Sequence, residues 1–290
     1  MSIGLDWRCI RCHLNRSLDV VAPLGDEATN TAFTKELLAL LLSAPENANA
    51  PWLGPATSDL MLKYYGIEID RFRQEKESSN RFVLERMELL RQKVTAAADP
   101  VAAGLRFAIL GNYLDFAALG KDVSFDRLDE MLDSALSMEL DERNYVNFIR
   151  DLAAGKKLLY LTDNAGEIGF DRIFGEVLAA RYPHLEITFC VRGGIAQNDA
   201  TREDAAAVGI PFPVIDNGTR IAGTQIDLLG QEAREALESA DVILSKGQAN
   251  VETMLGCGYN VYYAFLIKCH RFEERFGKPK LTPMLVRERQ

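Results

Sequence analysis

The spacing of hydrophobic positions changes about halfway along the chain. Between about residues 31 and 154, apolar residues recur at the three- and four-residue intervals of amphipathic helices, as in Phe33, Leu37, Leu38, Leu41 and Leu42. This half shows no convincing strand pattern. From residue 156 onward, short apolar runs alternate with helical stretches. The sequence therefore predicts a helical first half and an α/β second half.

The second half contains five predicted strands, at residues 158–162, 187–191, 214–215, 242–245 and 261–265. Helical patterns lie between them, for example at 170–181 and 228–239. Such alternation predicts a largely parallel sheet with helices on both faces. We place the boundary near Gly155. We expect an α-helical cap domain over residues 1–154 and an α/β domain over residues 155–290.

Polar side chains follow the first two predicted strands. Asp163 and Asn164 come directly after the first, and Asp199 lies beyond the end of the second. Small ligands of open α/β sheets bind at the carboxyl ends of the strands. Two carboxylates and an amide oxygen suit Mg²⁺ or Mn²⁺. Each residue taken alone is also typical of a turn or a helix cap, but their occurrence at two successive strand ends favours a metal site.

Basic, amide and glycine residues follow the second, fourth and fifth predicted strands. Lys246 and Asn250 lie after the fourth run, and Lys268 follows the fifth. Two cations that face a metal site indicate phosphate, although Lys246 also fits a solvated surface lysine. After the second run, Gly193 and Gly194 allow close backbone approach. We predict that these five residues bind the phosphate or the substrate.

The helical half contributes one further candidate pair. Residues 102–116 form an unusually apolar segment that carries Asn112 and Asp115. Their i,i+3 spacing predicts that both lie on one helix face and reach from the cap into the cleft. The alternative is that they face solvent or make internal hydrogen bonds.

Charge and sequence motifs exclude several classes of function. A net charge of −9 argues against a general affinity for nucleic acid or anionic membranes. No signal peptide or bilayer-spanning run is present, so we expect a cytoplasmic protein, and five cysteines fit a reducing compartment. Cys9 and Cys12 lack a second Cys/His pair for zinc. The sequence has no Walker loop, GxGxxG fingerprint or GxSxG elbow, and it leaves the oligomeric state open.

Six segments resemble the damage-control phosphatases, a family also described as a metal-binding domain of unknown function and as acidic-residue methyltransferase-like proteins. They occur in the family's order, and the element Asp163-Asn164-Ala165-Gly166-Glu167 is the most specific. The CxxC motif of Cys9 and Cys12 resembles the prokaryotic branch. The matching segments are residues 111–116, 162–171, 192–194, 198–201, 246–250 and 266–269.

The resemblance implies a three-layer α/β/α sandwich with a largely parallel, Rossmann-like sheet, joined to an N-terminal all-α domain. It implies a divalent metal on the residues that match Asp163, Asn164 and Asp199. It also implies hydrolysis of small phosphoric monoesters, such as sugar phosphates or damaged phosphorylated metabolites. Gly169 departs from the family's pattern, as do the residues before Asn198, and these departures bear on substrate fit.

We therefore predict a phosphatase that uses Mn²⁺, Mg²⁺, Co²⁺ or Ni²⁺, in which a water or an oxygen of Asp163 attacks the phosphorus. Lys246 and Lys268 would neutralise the phosphoryl oxygens. Glu167, together with Asn112 and Asp115, would position the substrate or the attacking water. A carboxyl methyltransferase that uses S-adenosylmethionine ranks second, because no glycine-rich loop follows the first strand, and a non-enzymatic metal- or metabolite-binding protein ranks third.

Overall fold

The computed structural model describes residues 3–288 and has thirteen α-helices within this range. Eight precede the sheet, and the other five lie between or after its strands. Three more short segments are 3₁₀-helices in the helical half, and a fourth, Ile226–Leu228, lies in the α/β half. The helices are α1 (Trp7–Val21), α2 (Glu27–Leu42), α3 (Gly54–Tyr65), α4 (Arg73–Thr95), α5 (Pro100–Gly111), α6 (Phe116–Leu119), α7 (Phe125–Asp133), α8 (Glu142–Ala154), α9 (Glu167–Arg181), α10 (Arg202–Ala207), α11 (Gln231–Ser239), α12 (Gln248–Met254) and α13 (His270–Phe276).

Six strands form one sheet in the order β3-β2-β1-β4-β5-β6. The first five in sequence are parallel, and β6 pairs antiparallel with β5. The parallel α/β sheet that we predicted is confirmed. Strand β6 was not predicted. It begins with a proline and lies at the edge of the sheet, where proline is tolerated. The strands are β1 (Lys157–Leu161), β2 (Glu186–Val191), β3 (Val214–Asp216), β4 (Val242–Lys246), β5 (Val261–Leu266) and β6 (Pro283–Arg287).

Successive side chains of each strand enter two different cores. Leu158 and Tyr160 of β1 belong to the core on the α5 and α9 side of the sheet, whereas Leu159 and Leu161 belong to the core on the α11 and α13 side. This alternation follows from the two-residue period of a strand. Helices cover both faces, and the predicted three-layer α/β/α arrangement is confirmed.

Much of the helical half packs directly on the sandwich. Helices α4, α5, α7 and α8 share one hydrophobic core with α9 and the sheet. Two glycines of α5 allow its close approach to α9, because a Cβ on Gly104 or Gly111 would lie 2.7 Å from the ring of Phe174 or Phe170. Helices α1–α3 have a separate small core. The division near residue 155 stays a prediction, and α5 forms part of the layer that carries the site.

Two details of the helical half differ from the predictions. The apolar helix ends at Gly111, so Asn112 follows it and Asp115 is the N-cap of α6. The two residues therefore do not share a helix face, because the Asp115 carboxylate binds the backbone N–H of Ala118 at 2.8 Å and begins a new helix. In α2, the spacing predicts that Leu38 and Leu42 share a face with Phe33, Leu37 and Leu41, but Leu38 is 42% and Leu42 is 87% exposed while the other three are buried.

No helix between residues 3 and 288 combines the length and the apolar character that crossing a bilayer requires.

Candidate metal and phosphate site

The predicted site residues lie at the topological switch point of the sheet. Strands β1 and β4 are neighbours, and the chain continues from β1 towards β2 on one side and from β4 towards β5 on the other. A crevice opens at the carboxyl ends of two strands whose connections diverge in this way. Asp163 and Asn164 follow β1 at this position, and Gly247 follows β4.

Asp163 is held from several directions. Its Oδ2 accepts hydrogen bonds from Nδ2 of Asn112 and Nδ2 of Asn164, both at 2.9 Å. The same oxygen lies over Gly247, which has φ +83°, and a Cβ at this position would lie 1.9 Å from Asp163 Oδ2. Only glycine combines this backbone conformation with this close contact.

The loop after β2 brings Asp199 beside the end of β1. Asn164 and Asp199 form an isolated antiparallel bridge, and the N–H of Ala200 donates to the carbonyl oxygen of Asp163 at 2.7 Å. Asn198 donates through Nδ2 to Oδ1 of Asn164 at 2.9 Å. The three predicted metal ligands are thus neighbours, although Asn164 and Asp199 are 35 positions apart in the sequence.

Arg192 is a site residue that the sequence analysis did not identify. It is buried, its Nε donates to Asp199 Oδ2 at 2.6 Å, and its Nη2 lies 3.5 Å from Asp163 Oδ1. Nη2 has no hydrogen-bond partner among the described residues. An arginine that follows an apolar strand and precedes two glycines was the available signal.

Glu167, the first residue of α9, connects the metal candidates to the interior. Its Oε2 accepts from Nδ2 of Asn164 at 2.7 Å and from Nδ2 of Asn112 at 2.8 Å. Its Oε1 accepts from the ammonium of Lys246 at 2.7 Å. The two carboxylate oxygens therefore face opposite sides of the site.

The surroundings of Lys246 do not support its predicted contact with phosphate. The side chain is fully buried, and Nζ donates to Glu167, to Asp171 Oδ1 at 2.8 Å and to the carbonyl oxygen of Ala108 at 2.7 Å. An ammonium has three N–H donors, and all three are used. Lys246 in this structure holds two carboxylates of the protein.

The predicted phosphate ligands Gly193, Gly194 and Asn250 also have partners within the protein. The N–H of Gly193 donates to Asn217 Oδ1, and the N–H of Gly194 donates to the carbonyl oxygen of Thr219. The amide of buried Asn250 donates to two carbonyl oxygens and accepts from the hydroxyl of Thr224. These contacts give the three residues a structural role at the strand ends and do not support direct phosphate binding.

Lys268 differs from Lys246 in its free donors. Its side chain is almost completely buried, and within the described residues Nζ forms one hydrogen bond, to Asp115 Oδ2 at 2.7 Å. Two N–H donors remain for a ligand. The segment between α5 and α6 thus provides both Asn112 and Asp115 to this cluster.

The electrostatics of the cluster favour an added cation. Burial raises the pKa of Asp163 well above its usual range, and the carboxylates of Asp199 and Glu167 add to the rise. Burial also raises the pKa of Asp199 to about 6, although Arg192 opposes this shift. Carboxylates that repel one another in a site of low polarity are stabilised by a positive charge between them.

The donor atoms fit an oxygen-ligated divalent ion. Within residues 3–288, Oδ1 of Asp163 and Oδ1 of Asp199 accept no hydrogen bond, and Oδ1 of Asn164 accepts one and keeps a second lone pair. The described residues contain no group of three or more His, Cys, Asp or Glu side chains arranged to hold a metal. The candidate set accordingly depends on the amide oxygen as well as on two carboxylates.

The CxxC motif near the start of the chain is separate from these ligands. All five cysteines are free thiols. Cys9 accepts a hydrogen bond from Arg271 Nη1 at 3.1 Å, and Cys12 is exposed on α1.

Comparison with known proteins gives matches over nearly the whole chain. The sequence profile described as the damage-control phosphatase ARMT1-like domain matches residues 6–281. A damage-control phosphatase of Pyrococcus horikoshii is 27% identical over 290 residues, with 98% of each chain covered. A damage-control phosphatase of Archaeoglobus fulgidus is 33% identical over 192 residues, with 65% of each chain covered.

An uncharacterized protein of Methanocaldococcus jannaschii is 28% identical and covers 95% of this chain and 93% of its own. Among solved structures, a DUF89 family protein of Pyrococcus horikoshii superimposes with a TM-score of 0.83 at 26% identity, and 99% of each chain is covered. The similarity therefore includes the helical half as well as the sheet.

Proposed function

Because the chain belongs to the damage-control phosphatase ARMT1-like domain family, we propose that it is a divalent-metal-dependent phosphatase of small phosphorylated metabolites. The observation that carries this proposal is the charge of the cluster at the switch point. Five carboxyl groups meet three basic side chains there, so the ionised cluster has an excess of negative charge that a divalent cation would balance. The acids are Asp115, Asp163, Glu167, Asp171 and Asp199, and the bases are Arg192, Lys246 and Lys268.

Asp163, Asn164 and Asp199 would hold the metal through oxygen. A bound divalent ion would polarise the phosphoryl group and stabilise its negative charge. Oxygen donors favour Mg²⁺ and Mn²⁺ over softer ions. Co²⁺ and Ni²⁺ are compatible with a mixed carboxylate and amide set and belong in the same assay.

Lys268 would bind the phosphoryl oxygens. Asp115 fixes its ammonium and leaves two donors, and a buried, oriented cation stabilises charge more strongly than an exposed one. For the attack we favour water over Asp163, because Oδ2 of Asp163 already accepts two amide hydrogen bonds and its Oδ1 is a proposed metal ligand. The water oxygen bonds to phosphorus as the ester P–O bond breaks, and one proton of the water ends on the leaving oxygen, so that the products are the alcohol and inorganic phosphate. Glu167 would position the water.

A phosphate-release assay tests the proposal. The purified protein is incubated with sugar phosphates and nucleotides in the presence of Mn²⁺, Mg²⁺, Co²⁺, Ni²⁺ or EDTA. We expect metal-dependent release that Asp199→Asn abolishes and that Asp227→Asn, a matched change at an exposed carboxylate, retains. Mn²⁺ binding without release from any ester would favour the non-enzymatic alternative, and methyl transfer from S-adenosylmethionine to a carboxylate would favour the methyltransferase.

A further inference from the structure

Behind the candidate metal ligands lies a row of buried polar groups that the proposed reaction does not use. It begins at Glu167 Oε1 and continues through the ammonium of Lys246 to the carboxylate of Asp171. Asp171 Oδ1 also accepts a hydrogen bond from the hydroxyl of Tyr160 at 2.7 Å. All four side chains are completely buried, so the row is shielded from water.

The far end of the row is fixed by packing. The ring of Tyr160 stacks on Phe189 with centroids 4.5 Å apart and an interplanar angle of 6°, and it contacts the edge of Phe174. A ring held on two sides gives its hydroxyl a single position. Within the described part of the chain, Asp171 Oδ1 is held by Tyr160 and Lys246, and Oδ2 has no hydrogen-bond partner. The Tyr160 hydroxyl is therefore the contact that fixes Asp171 from the side away from Lys246.

The positive charge of Lys246 links the two carboxylates of the row. Burial opposes that charge, but Asp171 and Glu167 together raise the pKa of the ammonium above its ordinary value. Lys246 therefore stays charged between two carboxylates. If Asp171 were displaced, the ammonium would keep Glu167 as its one carboxylate partner beside the carbonyl oxygen of Ala108. It would then draw Glu167 away from Asn112 and Asn164, which Oε2 now contacts.

We propose that Tyr160 and Asp171 are positioning residues that act through Lys246 to orient Glu167 towards Asn112 and Asn164. This inference rests on the proposed phosphatase function, because the orientation of Glu167 matters through the water that it would position and through Asn164, the candidate metal ligand whose amide it holds. It assigns to Lys246 a purpose other than phosphate binding. A row that served stability alone would affect folding but not the orientation of Glu167.

The sheet offers a matched control for this distinction. Tyr262 on β5 is also completely buried in the same core, and its hydroxyl donates to Asp151 Oδ2 at 2.7 Å. Asp151 has no contact with the cluster in the structure as described. Tyr160→Phe and Tyr262→Phe therefore each remove one hydroxyl and one bond to a carboxylate while leaving the ring in place.

We expect Tyr160→Phe to lower kcat by about tenfold at an almost unchanged KM, the pattern of a lost transition-state interaction. Tyr262→Phe is expected to keep both constants within about twofold, since its bond is remote from the site. Thermal unfolding of both variants measures the loss of stability that they share. Equal kcat values for the two variants, or an effect of Tyr160→Phe on KM alone, would overturn the proposal.

Double substitution tests whether Lys246 transmits the effect. In a Lys246→Met background, adding Tyr160→Phe should lower kcat no further, because the link to Glu167 is already absent. Independent, multiplicative losses would contradict transmission. If Lys246→Met does not fold, the comparison of Tyr160→Phe with Tyr262→Phe decides alone.

Measuring the affinity for Mn²⁺ distinguishes an error in the proposed positioning role from an error in the proposed phosphatase activity. Glu167 holds the amide of Asn164, so Tyr160→Phe should weaken Mn²⁺ binding at least about threefold in calorimetry and Tyr262→Phe should not. Weakened binding in a protein that releases no phosphate would retain the positioning role and reject the phosphatase. Normal release and normal binding in Tyr160→Phe would retain the phosphatase and reject the positioning role.

Discussion

Asn112 Nδ2 lies 2.9 Å from Asp163 Oδ2 and donates a hydrogen bond to it, although 51 residues separate the two in sequence. The other end of the same amide, Oδ1, accepts from the backbone N–H of Leu266 at 3.1 Å. Asn112 therefore joins the end of α5 to the ends of β1 and β5. Because of this link, the helical half forms one wall of the candidate site.

The first prediction concerns the donor character of Asn112. Asn112→Asp would place a third carboxylate against those of Asp163 and Glu167. It would also remove the two hydrogen bonds that the Asn112 amide now donates to these carboxylates. We expect kcat/KM to fall by at least about 100-fold, since like charges in a buried site repel strongly. Asn144→Asp, where the amide donates to the backbone carbonyl of Leu285, remote from the site, should remain active. Equal activity of the two variants would show that Asn112 does not orient these acids.

The sheet could be predicted from the hydrophobic pattern, but the end of α5 before Asn112 could not. Buried parallel strands appear as continuous apolar runs, and this made the sheet predictable. The apolar residues of α5 also continue to Phe116, so hydrophobicity carried no signal for the break after Gly111. The break depends on partners of Asn112 and Asp115 that are distant in sequence. Local propensity cannot report such tertiary contacts.

The second prediction concerns Lys268. Lys268→Met should lower kcat/KM for phosphate esters by at least about tenfold, roughly 1.4 kcal/mol of transition-state stabilisation, because two ammonium donors would be lost. Lys156→Met, at the opposite end of the sheet and exposed, serves as the charge-matched control. Steady-state kinetics on the best ester of the panel measure both. Unchanged kinetics in Lys268→Met would exclude Lys268 from phosphate binding.

The different roles of Lys246 and Lys268 could not be predicted from the sequence. Lys246 and Lys268 each follow an apolar run, and their local sequences do not distinguish a structural lysine from a ligand-binding one. Their roles diverge because Asp171 and Ala108 meet Lys246 from α9 and α5, whereas the ammonium of Lys268 meets only Asp115 among the described residues. The number of free donors is a property of the packed structure.

The third prediction concerns Gly247. In Gly247→Ala the new methyl group would lie 1.9 Å from Asp163 Oδ2 at a backbone φ of +83°, so Asp163 must move. We expect activity to fall by at least about 100-fold. Gly66→Ala shares a positive φ of +65°, but its methyl group meets no atom within 4 Å. It should cost about 1 kcal/mol of stability and leave activity intact. Full activity in Gly247→Ala would contradict the observed position of Asp163.

The fourth prediction is a pH-dependent stability effect of Glu252, which lies on α12 outside the proposed metal ligands. Burial raises the pKa of this carboxyl from 4.5 to about 7. Among the described residues, its side chain accepts one hydrogen bond, from Gln248, which is long at 3.3 Å. Since the folded pKa exceeds the unfolded value, the favourable contribution of Glu252 is complete below about pH 4.5 and is lost as the pH rises through about 7. Above that pH the fold contains a buried charge.

Glu252→Gln removes that charge while keeping the shape of the side chain. We expect the variant to be more stable than the wild type at pH 8 by about 2–3 kcal/mol and to differ little at pH 5, because the wild-type carboxyl is then mostly protonated. Urea unfolding at the two pH values measures the difference. Glu46→Gln, at an exposed position, should show no such pH dependence. A Glu252→Gln protein that is less stable than the wild type at pH 8 would mean that Arg271 holds Glu252 ionised in the fold, and the predicted gain would then be wrong in sign.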